Sequence, residues 1–230
     1  MSGPRHSVPP AALVTGARRG IGAALLTRLA AQGPAIGTAR PPLPSGGPEE
    51  GPAEWLPLDV AEPADFEPFR TALDGRPLSL VVCNAGIYED RHENLADGYA
   101  PELWERGFAT NVTGVFLTVQ ACLASLQAAA AEGAPARIAV ISSQMGSSAR
   151  APGGSYIYRA SKAAAINLAR NLAADLDGLG IAVGVYHPGW VRTAMGGPDA
   201  EISEDDAADG LMARFAALNV GTTGQFLTWD

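Results

Sequence analysis

The sequence predicts an α/β fold: one doubly wound parallel sheet of about seven strands, with helices on both faces. Three observations carry this prediction. Short apolar runs alternate with longer helical stretches along the whole chain. The runs are apolar throughout, not at every second position, as in strands covered on both faces. A glycine-rich turn joins the first run to the first helical stretch, as at the opening of a βαβ unit.

"ALVTG" (Ala12–Gly16) reads as the first strand, followed by a helix from about Gly20 to Gln32 that Gly33 stops. "PAIGTAR" ends a second strand at Arg40. "EWLPLDV" carries a third, "LSLVVCNAG" a fourth, "ARIAVISS" a fifth, "IAVGVYHPG" a sixth and "GQFLTW" a seventh. From Pro41 to Pro52 the chain holds five prolines and three glycines, which excludes a regular helix where a βαβ scheme would put one. The longest helix begins near Pro101, a residue suited to a first helical turn. Its apolar stripe of Phe108, Val112, Val115, Phe116, Val119, Leu123 and Leu126 keeps a 3.6 period. Another helix spans about Tyr156 to Leu176, with Ala164, Leu168 and Leu172 along one side and Gly178 after its end. No repeat or second hydrophobic unit is visible, so residues 1–230 read as one domain, with 1–10 a flexible N-terminus.

Composition narrows the function classes. Hydrophobic residues make up 47% and charged residues 17%, enough for a large core. A net charge of −8, from 24 acidic and 16 basic residues, gives no electrostatic case for nucleic acid or an anionic membrane. Cys83 and Cys122 sit in apolar patterns as small buried hydrophobes. His6, His92 and His187 are scattered, so no metal site is expected. The start, "MSGPRHSVPP", lacks the apolar core of a signal peptide, and no run of 18 apolar residues appears. These features predict a reduced, cytoplasmic protein.

The turn itself is "TGARRGIG", Thr15–Gly22. Glycines 16, 20 and 22 would permit a tight turn, close approach of a pyrophosphate and close helix packing, and the helix N-terminus would supply N–H groups to the phosphates. The spacing G-x-x-x-G-x-G resembles that of the short-chain dehydrogenase/reductase family, a single-domain Rossmann-type fold. Further markers follow in order: Asp59 of "LDV", "CNAG" (Cys83–Gly86), Asn111 in the long helix, Ser143 after the fifth strand, Tyr158 and Lys162 in Y-x-x-x-K, and "PGWVRT" (Pro188–Thr193). The resemblance implies a nicotinamide dinucleotide held by Thr15, Gly16, Arg18, Arg19, Gly20, Ile21 and Gly22 of the turn. It adds Asp59 and Val60 near the adenine, then Asn84, Ala85 and Gly86 beside the cofactor. Tyr158 and Lys162 join these, as do Pro188, Gly189, Val191 and Thr193. Cys83 replaces the family's first Asn.

Arg40 addresses which cofactor. An NAD site of this kind ends its second strand in an acid that accepts the ribose 2′-hydroxyl. Here Ala39 and Arg40 stand there, and a guanidinium pairs with a 2′-phosphate. Arg18 and Arg19 lie in the turn facing the same pocket, and the resemblance favours Arg19 as the second partner of the 2′-phosphate. NADPH/NADP is therefore expected over NADH/NAD.

Tyr158 and Lys162 share a helix face by their i, i+4 spacing, whereas Tyr156, six residues before the lysine, points elsewhere. A free phenol has a pKa near 10, and an adjacent ammonium together with the positive nicotinamide of an oxidised cofactor is expected to lower it. The family implies Tyr158 as proton donor, Lys162 as its partner and ribose ligand, Ser143 polarising the substrate oxygen, and Asn111 supporting proton resupply. Ser142 is the rival to Ser143, and the Ile-Ser-Ser pattern favours the second serine. His187 reads as a core or neighbouring histidine, since no G-x-S-x-G elbow exists to pair with it.

Ser143 precedes Tyr158 by fifteen residues, two more than is usual in the family. That insert, with "HPGWVRTAMGG" and the ending "TGQFLTWD", resembles the C-factor and sniffer-type carbonyl reductases. The expected activity is reduction of a small-molecule ketone, aldehyde or quinone. The alternative is an NAD(P)-binding signalling protein with little turnover. Tyr88, Tyr99, Trp190 and Met195 are candidate apolar contacts for the substrate, and family habit implies a homodimer or homotetramer.

Overall fold

The computed structural model describes residues 9–44 and 53–230. The expected flexible start falls largely outside those residues, as does most of the proline-rich segment, of which 41–44 carry no helix. Seven strands form one sheet: β1 (Ala11–Val14), β2 (Ala35–Ala39), β3 (Ala53–Pro57), β4 (Leu78–Cys83), β5 (Ala136–Ile141), β6 (Ile181–His187) and β7 (Phe226–Thr228). Their order is β3-β2-β1-β4-β5-β6-β7, and every pair is parallel. Leu13 of β1 lies between Ile36 and Val81. All three are apolar and buried, because in this sheet both faces are inside.

Among the described residues six α-helices cover the sheet: α1 (Gly20–Ala30), α2 (Phe66–Leu73), α3 (Pro101–Phe108), α4 (Gly114–Ala131), α5 (Tyr156–Leu176) and α6 (Glu204–Ala217). One core, with Leu25, Leu26, Leu211 and Phe215, lies under α1 and α6. The other, with Phe69, Val119, Leu126 and Ala169, lies under α2, α4 and α5. Neither α2 nor α6 stands out in the sequence. The first is eight residues long and contains Pro68, and the second opens on three acids in its first turn.

Two predicted faces are corrected. Between α3 and α4 the chain makes a π-helical turn, Ala109–Thr113. A π turn holds an extra residue and rotates everything after it, so one continuous period cannot describe both helices. Val115, Val119 and Leu126 face the core as expected, with Cys122 beside them, but Phe116 is 42% exposed. The whole helical run Pro101–Ala131 is long and apolar enough to cross a membrane by composition; here α4 packs against β4 and β5. On α5 the inward face is Ala165, Ala169 and Ala173, with Leu168 and Leu172 half-buried beside it. Small residues bring that helix close to the sheet.

The strand order reverses between β1 and β4. In such sheets a crevice opens there, beyond the C-terminal ends of the strands.

Candidate active site

The crevice is built from the turn after β1 and the turn after β4. Gly16 has φ +63°, and a Cβ there would lie 2.9 Å from Ala85 Cα. At Gly22 a Cβ would lie 2.4 Å from Asn84 Nδ2 and 2.5 Å from the Gly16 carbonyl. Asn84 closes the contact by donating to the carbonyls of Thr15 (2.9 Å) and Gly16 (3.2 Å). Thr15 Oγ1 in turn accepts the N–H groups of Asn84 and Ala85, at 3.0 and 3.1 Å. Thr15, Gly16, Gly22, Asn84 and Ala85 thus form one cradle.

Above it, α1 starts with no side-chain cap and no acid in its first turn, Arg19 being the N-cap. At α6, by contrast, Ser203 caps the Asp206 N–H at 3.0 Å and three acids follow. The uncapped, positive N-terminus of α1 fits an anionic group; Gly20 there faces Thr193 and, from α6, the Glu204 carboxylate. Gly20 and Ile21 form the first turn of α1, and Ile21 packs on the α1 core. At the outer end, Arg40 is 74% exposed and stands 3.9 Å from the Asp59 carboxylate. Arg18 is exposed and donates to the carbonyl of Pro42, two residues after Arg40, at 2.9 Å. Val60 is buried, and its backbone lies against Gly114.

Asn111 sits in the π turn, 1% exposed. Its Oδ1 accepts the Ile87 N–H at 2.9 Å, and its Nδ2 donates to the Ile87 carbonyl and to Ser161 Oγ, both at 3.0 Å. The amide therefore ties the β4 loop to α5, as well as interrupting an apolar stripe. Ser142 is consumed structurally, donating to the Lys162 carbonyl at 3.0 Å. Ser143 Oγ accepts the Met145 N–H at 3.1 Å, leaving its own proton for another acceptor.

Tyr158 and Lys162 share a face of α5, buried at 8% and 5% exposure. Lys162 Nζ donates to the Ile141 carbonyl at 2.9 Å and lies 5.7 Å from the Tyr158 ring centre. Tyr156 points away and packs on Tyr99, ring centres 5.1 Å apart. The expected lowering of the phenol's pKa by the lysine is not found. Burial pushes Tyr158 up from 10.0 to about 12; the Ser143 hydroxyl and Arg91 oppose that, while Tyr88 and Asp90 add to it. Burial also brings Lys162 down from 10.5 to about 8. The spacing puts the two side chains on one face, but the ammonium reaches past the phenol to a strand-end carbonyl.

These contacts set a buried tyrosine, serine and lysine beside a glycine cradle. The family model for short chain dehydrogenases matches residues 10–203. The chain is a short-chain dehydrogenase. Among its relatives, C-signal of Myxococcus xanthus is 38% identical over 163 residues, 70% of this chain and 95% of that protein. The 3-oxoacyl-acyl-carrier-protein reductase FabG of Escherichia coli is 32% identical over 216 residues, 91% and 83% of the two chains. An NADPH-bound carbonyl reductase from chicken fatty liver superposes with a TM-score of 0.85 at 31% identity, covering 96% of each chain. The carbonyl reductase Sniffer of Drosophila melanogaster shares the fold, with a TM-score of 0.82 at 24% identity.

The rest of the dehydrogenase's site lies on the loops after β4 and β6. Pro188 and Val191 are buried, and Gly189, at φ +88°, holds a backbone conformation that a residue with a Cβ would adopt only under strain. Thr193 Oγ1 accepts the Gly196 N–H at 2.9 Å. His187 is buried with Nδ1 unpaired among the described residues, and burial lowers its pKa to about 4, so it is neutral. Of the four candidate substrate contacts, Trp190 and Met195 are exposed at 47% and 38%, Tyr88 lies on Tyr158, and Tyr99 turns to α5. Sequence reasoning missed Asp90. It is 2% exposed and accepts the Ile157 N–H at 2.8 Å and the Tyr158 N–H at 3.3 Å. The loop carries four acids, Glu89, Asp90, Glu93 and Asp97, and no periodicity marks the buried one.

Proposed function

We propose that this short-chain dehydrogenase is an NADPH-dependent reductase of small-molecule carbonyls, with Tyr158 as proton donor. The observation that carries the reading is the convergence of Tyr158, Lys162, Ser143 and Asn111 beside the cradle of Gly16 and Gly22. The cradle and the open start of α1 fit a dinucleotide, which when bound would supply the hydride. Tyr158 then protonates the substrate oxygen. A phenol pushed up to about 12 remains the acid at neutral pH, as the reductive direction requires. Ser143, whose oxygen accepts the Met145 N–H and whose hydroxyl lies within reach of the Tyr158 phenol, donates to that oxygen as charge develops on it. Lys162 holds one hydrogen with the Ile141 carbonyl and keeps others for the cofactor ribose and for returning a proton to Tyr158. Asn111 fixes the loop and the helix against each other behind it.

The preference for NADPH rests on Arg40 at the end of β2, exposed and preceded by Ala39, with Arg18 of the glycine turn bonded two residues farther along. The NADPH-bound carbonyl reductase relative supports it. A second reading, a nucleotide-binding signalling protein with little turnover, is favoured by the C-signal relative. One assay separates them: oxidation of NADPH and of NADH against aldehydes, ketones and quinones, with Tyr158→Phe alongside. NADPH turnover that the variant loses by about a hundredfold or more, with cofactor binding intact, is the expected outcome. Tight NADPH binding without turnover would favour the signalling reading, and equal use of NADH would overturn the cofactor preference.

A further inference from the structure

Resting on the reading of Tyr158 as proton donor, we propose that Tyr88 is a positioning residue for that phenol, fixing its plane and shielding it from water. The Tyr88 and Tyr158 rings are stacked, centres 4.2 Å apart and planes 22° apart. The Tyr88 hydroxyl is hydrogen-bonded to Ser155 Oγ at 2.6 Å, on the N-cap residue just before α5. The stack continues outward, with the Arg91 guanidinium 4.8 Å above the Tyr88 ring and donating to the Met195 carbonyl. One loop thus lies against the donor, is tied to the donor's own helix, and reaches the loop after β6.

The backbone around this clamp is strained where the clamp needs it. Ser155 (φ +49°) and Tyr99 (φ +61°) are two of the three described non-glycine residues in the left-handed region, and they are bonded to each other. The Ser155 N–H donates to the Tyr99 hydroxyl at 3.1 Å, and Glu93 Oε2 accepts the Tyr99 N–H at 2.9 Å. Asp90 accepts the Ile157 and Tyr158 N–H groups in the first turn of α5. Such conformations persist only where surrounding contacts over-determine them. Here the side-chain contacts to Ser155 and the N–H groups of Ile157 and Tyr158 come from residues 88–99, so that loop orients the start of α5 and with it Tyr158.

Tyr88 also acts through exclusion of water. The groups facing the Tyr158 phenol are Ser143 from the β5 end, Tyr88, Asp90 and Arg91 from the β4 loop, and Lys162 from α5. The Tyr88 ring covers one face of Tyr158, and opening that face would hydrate the phenolate and bring its titration to lower pH.

The test compares wild type with Tyr88→Leu, which loses the ring, and Tyr88→Phe, which loses only the hydroxyl. In NADPH-driven reduction, Tyr88→Leu is expected to lower kcat about tenfold or more, with the cofactor KM nearly unchanged. The alkaline limb of its pH profile should move to lower pH, and Tyr88→Phe should fall between the two. A second readout needs no substrate. Near-ultraviolet tyrosinate absorbance, each protein taken against its own Tyr158→Phe counterpart, isolates the titration of Tyr158. An earlier rise in Tyr88→Leu supports the clamp even if the reductase reading fails. Titration of Tyr158 at the same pH in folded wild type and Tyr88→Leu would overturn it, as would unchanged kcat and pH profile.

Discussion

At the residue scale, Lys162 shows what the site costs the fold. Its ammonium is buried, and holding it with a pKa fallen from 10.5 to about 8 costs about 3 kcal/mol at neutral pH. Between those two values the unfolded chain binds the proton that the folded protein has released. Stability therefore rises with pH across that window and is flat for this group below it. Lys162→Met removes the cost and loses the hydrogen bond to Ile141, worth about 1 kcal/mol. The variant should be inactive yet more stable than wild type at pH 7, by about 1–2 kcal/mol. The gap should close as pH approaches 10. Urea unfolding at both pH values measures it, and a variant no more stable at pH 7 would mean that the folded ammonium keeps its water.

At the scale of the element, α5 is started by residues from elsewhere in the chain. Its own N-cap residue, Ser155, makes no side-chain cap bond, and Asp90 does that work from the β4 loop. Asp90→Ala should cost about 1–2 kcal/mol of stability, while Asp90→Asn, which keeps an acceptor oxygen, should cost much less. Equal melting temperatures for Asp90→Ala and wild type would show that the cap contributes nothing. The π turn at Ala109–Thr113 does related work for the long helix. It places Asn111 so that its amide pairs both polar groups of the Ile87 backbone and reaches Ser161.

Across the whole molecule, the sheet brings residues far apart in sequence to one crevice. A ligand filling that crevice ties the β1 and β4 turns together and stabilises the folded state by mass action. At a hundredfold excess over Kd, NADPH should add about 2.7 kcal/mol, or about 5–10 °C in melting temperature for a chain of this size. NADH at the same concentration should add less, because Arg40 and Arg18 would have no 2′-phosphate to meet. Equal shifts for the two cofactors would remove the role proposed for those arginines.

The sequence by itself determined the strands, the glycine turn and the Y-x-x-x-K pair, because each is a local pattern. Apolar runs mark strands buried on both faces, and a spacing of four puts Tyr158 and Lys162 on one side of α5. The family's Ile-Ser-Ser pattern favoured Ser143 over Ser142, and the fold spends the Ser142 hydroxyl on the Lys162 carbonyl. What only the tertiary structure decided depends on distance through space. A π turn rotated the long helix and exposed Phe116. Burial, not the neighbouring ammonium, set the phenol's pKa, since desolvation is fixed by everything packed around a group. Asp90 and Tyr88 gained their places at Tyr158 from across 68 and 70 residues of chain, a relation no local pattern encodes.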